Sequence, residues 1–212
     1  MLNVGGERIA RVVPNNLITT HGNTSDRSLF LTFDDGPNEY FTIPICELLA
    51  KYHAKATFFC IGNNIKNSPD IARYLVDNGH MLGNHSYKHH AFYRLSLKDQ
   101  LDEAKVCQLQ IDAIDPGTTR IFRAPQGKLS VSTLIFLKLK GWKIVHWSYD
   151  TKDYLQHQLD EQLSIINSKP VQNGDIILFH DDSELALKLL EVCLPKWSKM
   201  GFHFKTVAEL VI

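Results

Sequence analysis

The chain has 212 residues, enough for one domain of the larger kind with a sizeable core. Lysine plus arginine equals aspartate plus glutamate at 23 each, and such a balance gives no electrostatic footprint for nucleic acid or an anionic membrane and suits a neutral substrate. No run approaches the roughly 18 apolar residues of a membrane span, and Met1 to Thr20, with Glu7, Arg8 and Arg11, lacks the continuous apolar core of a secretory leader.

In chain order, the first strong signal is Ser28-Leu-Phe-Leu-Thr-Phe-Asp-Asp-Gly-Pro37. Its apolar run reads as a buried strand that delivers two carboxylates, Asp34 and Asp35, into a Gly-Pro turn. Neighbouring residues of a strand face opposite sides of the pleat, so the two acids are expected to diverge. A helix is expected near Glu39 to Tyr52, then an apolar strand over Ala56 to Ile61 ended by Gly62. Pro69 opens a helix closed by Asn78-Gly79, and a short strand at Met81-Leu82 leads into Gly83-Asn84-His85. Ser96 caps a long amphipathic helix, Ile121-Phe122 is a short strand, and Val131 to Lys140 is helical up to Gly141. The last third repeats the rhythm: strand Trp142 to Trp147, helix Asp160 to Ser168, strand Asp175 to Phe179, helix Glu184 to Met200, strand Phe202 to Val207.

About seven strands alternating with helices imply one α/β domain around a parallel sheet, and their near-regular spacing suggests an incomplete barrel. No Gly-rich phosphate-binding fingerprint follows any strand, which argues against nucleotide chemistry. Cys46, Cys60, Cys107 and Cys193 are scattered without a Cys-x-x-Cys pair. They read as buried free thiols and favour a reducing compartment. With no leader visible, a cytoplasmic location is expected, or a periplasmic or secreted one if a leader precedes Met1.

Chemistry concentrates where strands end. His85-Ser-Tyr-Lys-His89 places two imidazoles four residues apart, and a helical turn there would put both rings on one face. Together with Asp35 on the same rim they would grip one metal ion and leave room on it for water or substrate. His80 and His90 read as structural or as supports behind the ligands; His90 could compete as a ligand but falls away from the face that unites His85 and His89. Three more strands end in Arg123-Ala-Pro-Gln-Gly127, in Asp150-Thr-Lys-Asp153-Tyr154 and in His180-Asp-Asp182. Any one is an ordinary surface loop; five polar strand ends on one rim are a site. Two histidines and an aspartate also form the facial triad of non-haem iron oxygenases, but that chemistry favours an all-β fold.

These residues resemble the polysaccharide deacetylases of carbohydrate esterase family 4, the NodB-homology domain, over roughly Pro14 to Leu210. Thr32-Phe-Asp-Asp-Gly-Pro37 and His85-Ser-x-x-His89 are similar to its first two motifs. Arg123-x-Pro-x-Gly127, Asp150-x-x-Asp153 and Leu178-x-His180 are similar to the other three. Val13-Pro14-Asn15-Asn16 and Val145-His146-Trp147-Ser148 look most like the short chitooligosaccharide deacetylases of the NodB type. The resemblance implies a single-domain distorted (β/α) barrel, with an N-terminal segment 1–25 packing on a catalytic domain 26–212. It implies a divalent metal, usually zinc, with cobalt, nickel, manganese or iron as alternatives. It also implies an acetylated oligo- or polysaccharide as substrate.

Carried over by position, Asp35, His85 and His89 would hold the metal and Asp34 would be the base, paired with Arg123. His180 would be the acid, oriented by Asp153, and the backbone N–H of Gln126 would help bind the oxyanion. Leu178 would line the acetyl-methyl pocket, with Tyr154 and Pro125 also against the substrate. Gln126 stands where an aromatic residue is common and Tyr154 where tryptophan is common, which bears on the groove's shape more than on the reaction. Tyr87, Phe92, Tyr93, Tyr149 and Tyr154 are candidates for stacking on sugar faces. The rival readings are a deformylase or non-sugar amidase on the same scaffold and a catalytically silent carbohydrate-binding domain.

Overall fold

Strand β1 (Ser28–Asp34) is buried at every residue and sits in the middle of a parallel sheet. The computed structural model describes residues 17–155 and 157–210; Val13-Pro14-Asn15-Asn16 lies outside the described residues. Helix α1 (Thr42–Lys51) follows β1, then β2 (Thr57–Cys60), α2 (Gly62–Asn67), α3 (Pro69–Asp77) and β3 (Met81–Asn84). Next come α4 (Leu97–Ile114), β4 (Ile121–Phe122), α5 (Val131–Leu139), β5 (Lys143–Ile144) and β6 (Tyr149–Asp150). The chain closes with α6 (Leu159–Ser168), β7 (Ile176–His180), α7 (Glu184–Lys199) and β8 (His203–Lys205).

The strand order is β5-β4-β3-β2-β1-β7-β6, with β8 beside the first half of β1. Edges β5 and β6 do not pair with each other. Residues 19–22 lie across that seam: Thr19 N–H donates to the Ile144 carbonyl (2.8 Å) and Gly22 N–H to the Gly174 carbonyl (2.7 Å). This is the distorted, incomplete parallel barrel of about seven strands expected from the spacing: among the described residues seven strands form the path and β8 adds to β1 beside it.

Three elements depart from expectation. Helix α1 starts at Thr42 instead of Glu39, because the Asn38 carboxamide oxygen accepts from the Tyr40 and Phe41 amides and folds 38–41 into a turn. Helix α2 had no sequence signal, since Gly-Asn-Asn is turn-like; Asn64 within it donates to the Asp35 carbonyl (2.8 Å). The strand read over Trp142 to Trp147 is only Lys143–Ile144, and a second short strand, Tyr149–Asp150, follows beyond that range.

Two-residue alternation decides what enters the barrel. Leu29, Leu31 and Phe33 face outward into the layer under the helices, with Phe58, Ile177, Phe179 and Leu190. Phe33 stacks between Phe58 (4.8 Å between centroids) and Phe179 (5.7 Å). Phe30 faces inward, with Phe59, Ile121, Ile176 and Leu178. The same parity carries Thr32 and Asp34, Arg123 after Ile121, and His180 after Leu178 to the barrel interior.

Candidate active site

At the carboxyl rim these side chains meet in a cleft of about 360 Å³. Asp34, Asp35, His85, His89 and His180 line it, with Gln126, Lys128, Trp147, Tyr154 and Leu178 on the walls. Asp34 is buried, and its Oδ1 accepts from Arg123 Nη1 at 2.7 Å. Arg123 is fully buried: Nη1 also reaches Thr32 Oγ1 (2.8 Å), Nη2 reaches the His146 carbonyl (3.1 Å), and the guanidinium lies 4.1 Å from the Phe59 ring centre. Burial alone would raise the Asp34 carboxyl, but Arg123, then His85 and His180, outweigh it and hold it below the ordinary value. Burial also lowers the Arg123 guanidinium against the pull of Asp34, yet a guanidinium stays charged at any working pH. Replacing Arg123 with leucine leaves the Asp34 charge buried and unpaired. Urea denaturation should show a loss of about 3–5 kcal/mol, and an unchanged midpoint would mean the pair contributes nothing to the fold.

The two acids do not diverge as the pleat rule suggests. The strand ends at Asp34, and Asp35 adopts a left-handed φ of 77°, which turns its carboxylate into the same cleft. Gly36 is required next, because a Cβ there would overlap the carboxylate of Asp181. Asp181, read only as part of the polar strand end His180-Asp-Asp182, is a buried acid beneath this loop. It accepts from the Thr42 hydroxyl, and burial pushes it up to about 7.

The His85–His89 segment is not helical. Ser86 and His89 have positive φ (65° and 54°), and the loop is held by groups around it. Asn84 Oδ1 accepts from Ser86 N–H, Ser86 Oγ from His89 N–H, and Glu103 Oε2 of α4 from the Tyr87 and Lys88 amides. The rings still converge, with centroids 5.0 Å apart. Ligand atoms of Asp35, His85 and His89 all lie within 4.8 Å of one another. His85 Nδ1 lies 2.8 Å from the Arg123 carbonyl, so it carries the proton and leaves the Nε2 lone pair for the cluster. Burial, then His85, lowers the His89 imidazole against Asp35 and Asp34, which favours the neutral ligand form. Asp35 Oδ1 is buried without a hydrogen-bond partner. An orphaned carboxylate oxygen between two imidazoles fits a divalent cation, and an N₂O donor set suits zinc and its first-row neighbours.

Across the cleft His180 Nδ1–H donates to Asp153 Oδ1 (2.8 Å), and the His180 backbone N–H donates to Asp153 Oδ2 (2.7 Å). Burial opposes protonation of His180, but Asp153, and then Asp34 and Asp35, raise it to about 10. Gln126 lies in a turn with φ 56°, exposed at the rim. Gly127 follows because a Cβ there would meet the Trp147 ring at 2.7 Å. Leu178 and Tyr154 line the cleft, whereas Pro125 is buried behind it and is not on its wall. Among the aromatic candidates, Phe92 and Tyr149 are packed in the core and cannot meet a sugar; the Tyr149 hydroxyl is spent on the Ile166 and Lys169 carbonyls. Lys128, directly after the Arg123–Gly127 loop, was not singled out, and Trp147, at the end of the apolar run from Trp142, was named only for its family likeness; both stand on the cleft wall.

A (β/α) barrel with a carboxylate–imidazole cluster, a buried Asp–Arg pair and an Asp-supported histidine on one rim defines a scaffold for acid–base hydrolysis. A family model described as polysaccharide deacetylase matches residues 21–145. A peptidoglycan-N-acetylglucosamine deacetylase of Bacillus cereus is 30% identical, over 93% of this chain and 94% of that protein. A chitooligosaccharide deacetylase of Azorhizobium caulinodans is 35% identical, over 86% and 84%. A solved peptidoglycan N-acetylglucosamine deacetylase superposes with a TM-score of 0.85 at 25% identity, covering 91% of this chain and 92% of that one. The chain belongs to the polysaccharide deacetylase family, the NodB-type domain of carbohydrate esterase family 4.

Proposed function

We propose that this protein hydrolyses N-acetyl groups from N-acetylglucosamine-containing oligo- or polysaccharides in a metal-dependent reaction. The observation that carries the reading is the placement of Asp34. One oxygen is tied to Arg123 at 2.7 Å and the other lies 3.6 Å from His85 Nε2, so an ionised acid stands beside the Asp35–His85–His89 cluster. A divalent cation held by those three residues would supply Lewis acidity, lowering the pKa of water toward about 7 and polarising a carbonyl. Asp34 accepts the proton of the attacking water, with Arg123 fixing its charge and direction. The backbone N–H of Gln126 donates to the developing oxyanion, a contribution of roughly 3–4 kcal/mol for one such donor. His180 protonates the departing amine, which is too basic to leave as an anion, and Asp153 holds the tautomer that presents Nε2.

The relatives' names, one a peptidoglycan and one a chitooligosaccharide deacetylase, support a sugar acetamide as substrate. The four buried free thiols support a reducing, cytoplasmic setting and so a short chitooligosaccharide. Amine release from N-acetylglucosamine oligomers should disappear on chelation and return with zinc. Persistent turnover in the metal-free protein would overturn the metal-dependent reading, and binding without turnover in the zinc-loaded protein would identify a silent carbohydrate-binding domain. His85→Ala and Asp35→Ala should both lower bound metal in elemental analysis; full metal content in either variant would remove that residue as a ligand.

A further inference from the structure

Helix α5 buries Thr133, Leu134 and Leu137, the two leucines packing with Phe92, Phe122 and Trp142. Its outer side leaves Val131 (47% exposed), Ile135 (52%), Phe136 (38%) and Leu139 (80%) to solvent. At 3.6 residues per turn these follow one another round the helix as Val131, Ile135, Leu139 and Phe136, with the small Ser132 between the last two. Lys138 falls at one margin of that arc and Lys140 at the other. Lys143 of β5 is close enough to act on Lys138, whose ammonium is lowered by burial and then by this repulsion. Two cations held together in this way are relieved by an anion.

The zero net charge of the chain conceals this segregation. Between Asp115 and Asp150 there is no aspartate or glutamate, while Arg120, Arg123, Lys128, Lys138, Lys140 and Lys143 all fall in that interval. Arg123 is spent in the active site and Arg120 lies 4.0 Å from Asp112. Among the described residues Lys138, Lys140 and Lys143 have no carboxylate partner.

We propose that the α5 face docks on an anionic lipid bilayer, the apolar arc entering the headgroup–acyl boundary and the flanking lysines reaching lipid phosphates. An apolar strip edged by lysines is the pattern of an interfacial helix. A soluble polyanion would gain nothing from the four apolar side chains. A second copy meeting this face about a two-fold axis would set lysine against lysine. No helix among the described residues is long and apolar enough to cross a membrane, so the contact is peripheral. Lys128, on the cleft wall, lies three residues before Val131, so docking on this face would also fix how the cleft stands to the membrane.

The test is co-sedimentation of the full chain with vesicles of phosphatidylcholine alone or mixed with phosphatidylglycerol, at low and high salt. Binding to the anionic vesicles only, weakened by salt, is expected. Ile135→Asp with Leu139→Asp should abolish it. Lys138→Gln with Lys140→Gln should weaken it roughly 25-fold, at about fivefold per lysine. All four positions are outside the catalytic cleft, so amine release from a soluble oligomer should be unchanged in both variants and reports that they are folded. No binding to anionic vesicles, equal binding to both vesicle types, or binding indifferent to the substitutions would overturn the proposal. So would a wild-type dimer in analytical ultracentrifugation that the Ile135→Asp/Leu139→Asp variant dissociates, since that assigns the face to a second copy.

Discussion

Asp34→Asn is expected to lower kcat for N-acetyl hydrolysis by roughly 10²–10⁴-fold, the usual contribution of a positioned general base, while leaving the bound metal in place. Asparagine keeps the size of the side chain and an acceptor for Arg123 Nη1, but it cannot take a proton at neutral pH. The substitution is informative because the geometry alone leaves a narrow margin. His85 Nε2 is 3.6 Å from Asp34 Oδ2 and 3.5 Å from Asp35 Oδ1. The two acids are separated by their second contacts. Asp34 is held by Arg123, whereas Asp35 Oδ1 is 3.2 Å from His89 and has no hydrogen-bond partner. A carboxylate engaged by a guanidinium is a poor cation ligand and a well-aimed base; an orphaned one is the reverse. Parallel loss of metal and activity in Asp34→Asn would make Asp34 a ligand, and near-wild-type turnover would remove it from the reaction. Denaturation should accompany the kinetics, because neutralising Asp34 leaves the Arg123 charge buried without its partner.

The candidate site's rim was legible in the sequence because strand parity and strand ends are both local. Phe30, Thr32 and Asp34 alternate with Leu29, Leu31 and Phe33, so the acid ending the run had to enter the barrel with Phe30. Leu178 and His180 repeat the pattern. What the sequence could not show depends on partners far along the chain. The His85–His89 loop converges without a helix because Glu103, on α4, holds two of its amides. Asp35 turns inward through its own backbone, over a glycine made necessary by Asp181. The guanidinium of Arg123 lies against Phe59, from a strand that reads as uniformly apolar. Aromatic content misled for the same reason: Tyr149 and Phe92 look like sugar platforms until their burial is known. The surface of α5 was hidden by averaging, since a zero sum over the whole chain says nothing about an acid-free stretch within it.

Asp153→Asn is expected to move the alkaline limb of the kcat profile to lower pH by about two units or more, the scale of a lost buried charge partner. In the proposed reaction His180 works as an acid only while protonated. Its pKa of about 10 keeps it so at neutral pH, and its contribution falls as pH rises through that value. Burial pulls the imidazole down, and Asp153 is the first influence that opposes it; without that carboxylate the balance tips toward the neutral ring. Asparagine cannot substitute geometrically either. Both Asp153 oxygens accept, one from the ring N–H and one from the backbone N–H of His180, and a carboxamide would turn its NH₂ toward one of those donors. A dication at the Asp35 cluster would repel the imidazolium and lower both the native and the variant values, so the shift between them is the measured quantity. His180→Ala separates this role from mere support of the cleft. Amine release from N-acetyl substrates should drop by roughly 10²–10⁴-fold, while an activated aryl acetate, whose phenolate departs without a proton, should be hydrolysed nearly as before. Equal losses on both substrates, or an alkaline limb that stays in place in Asp153→Asn, would assign the proton to another group.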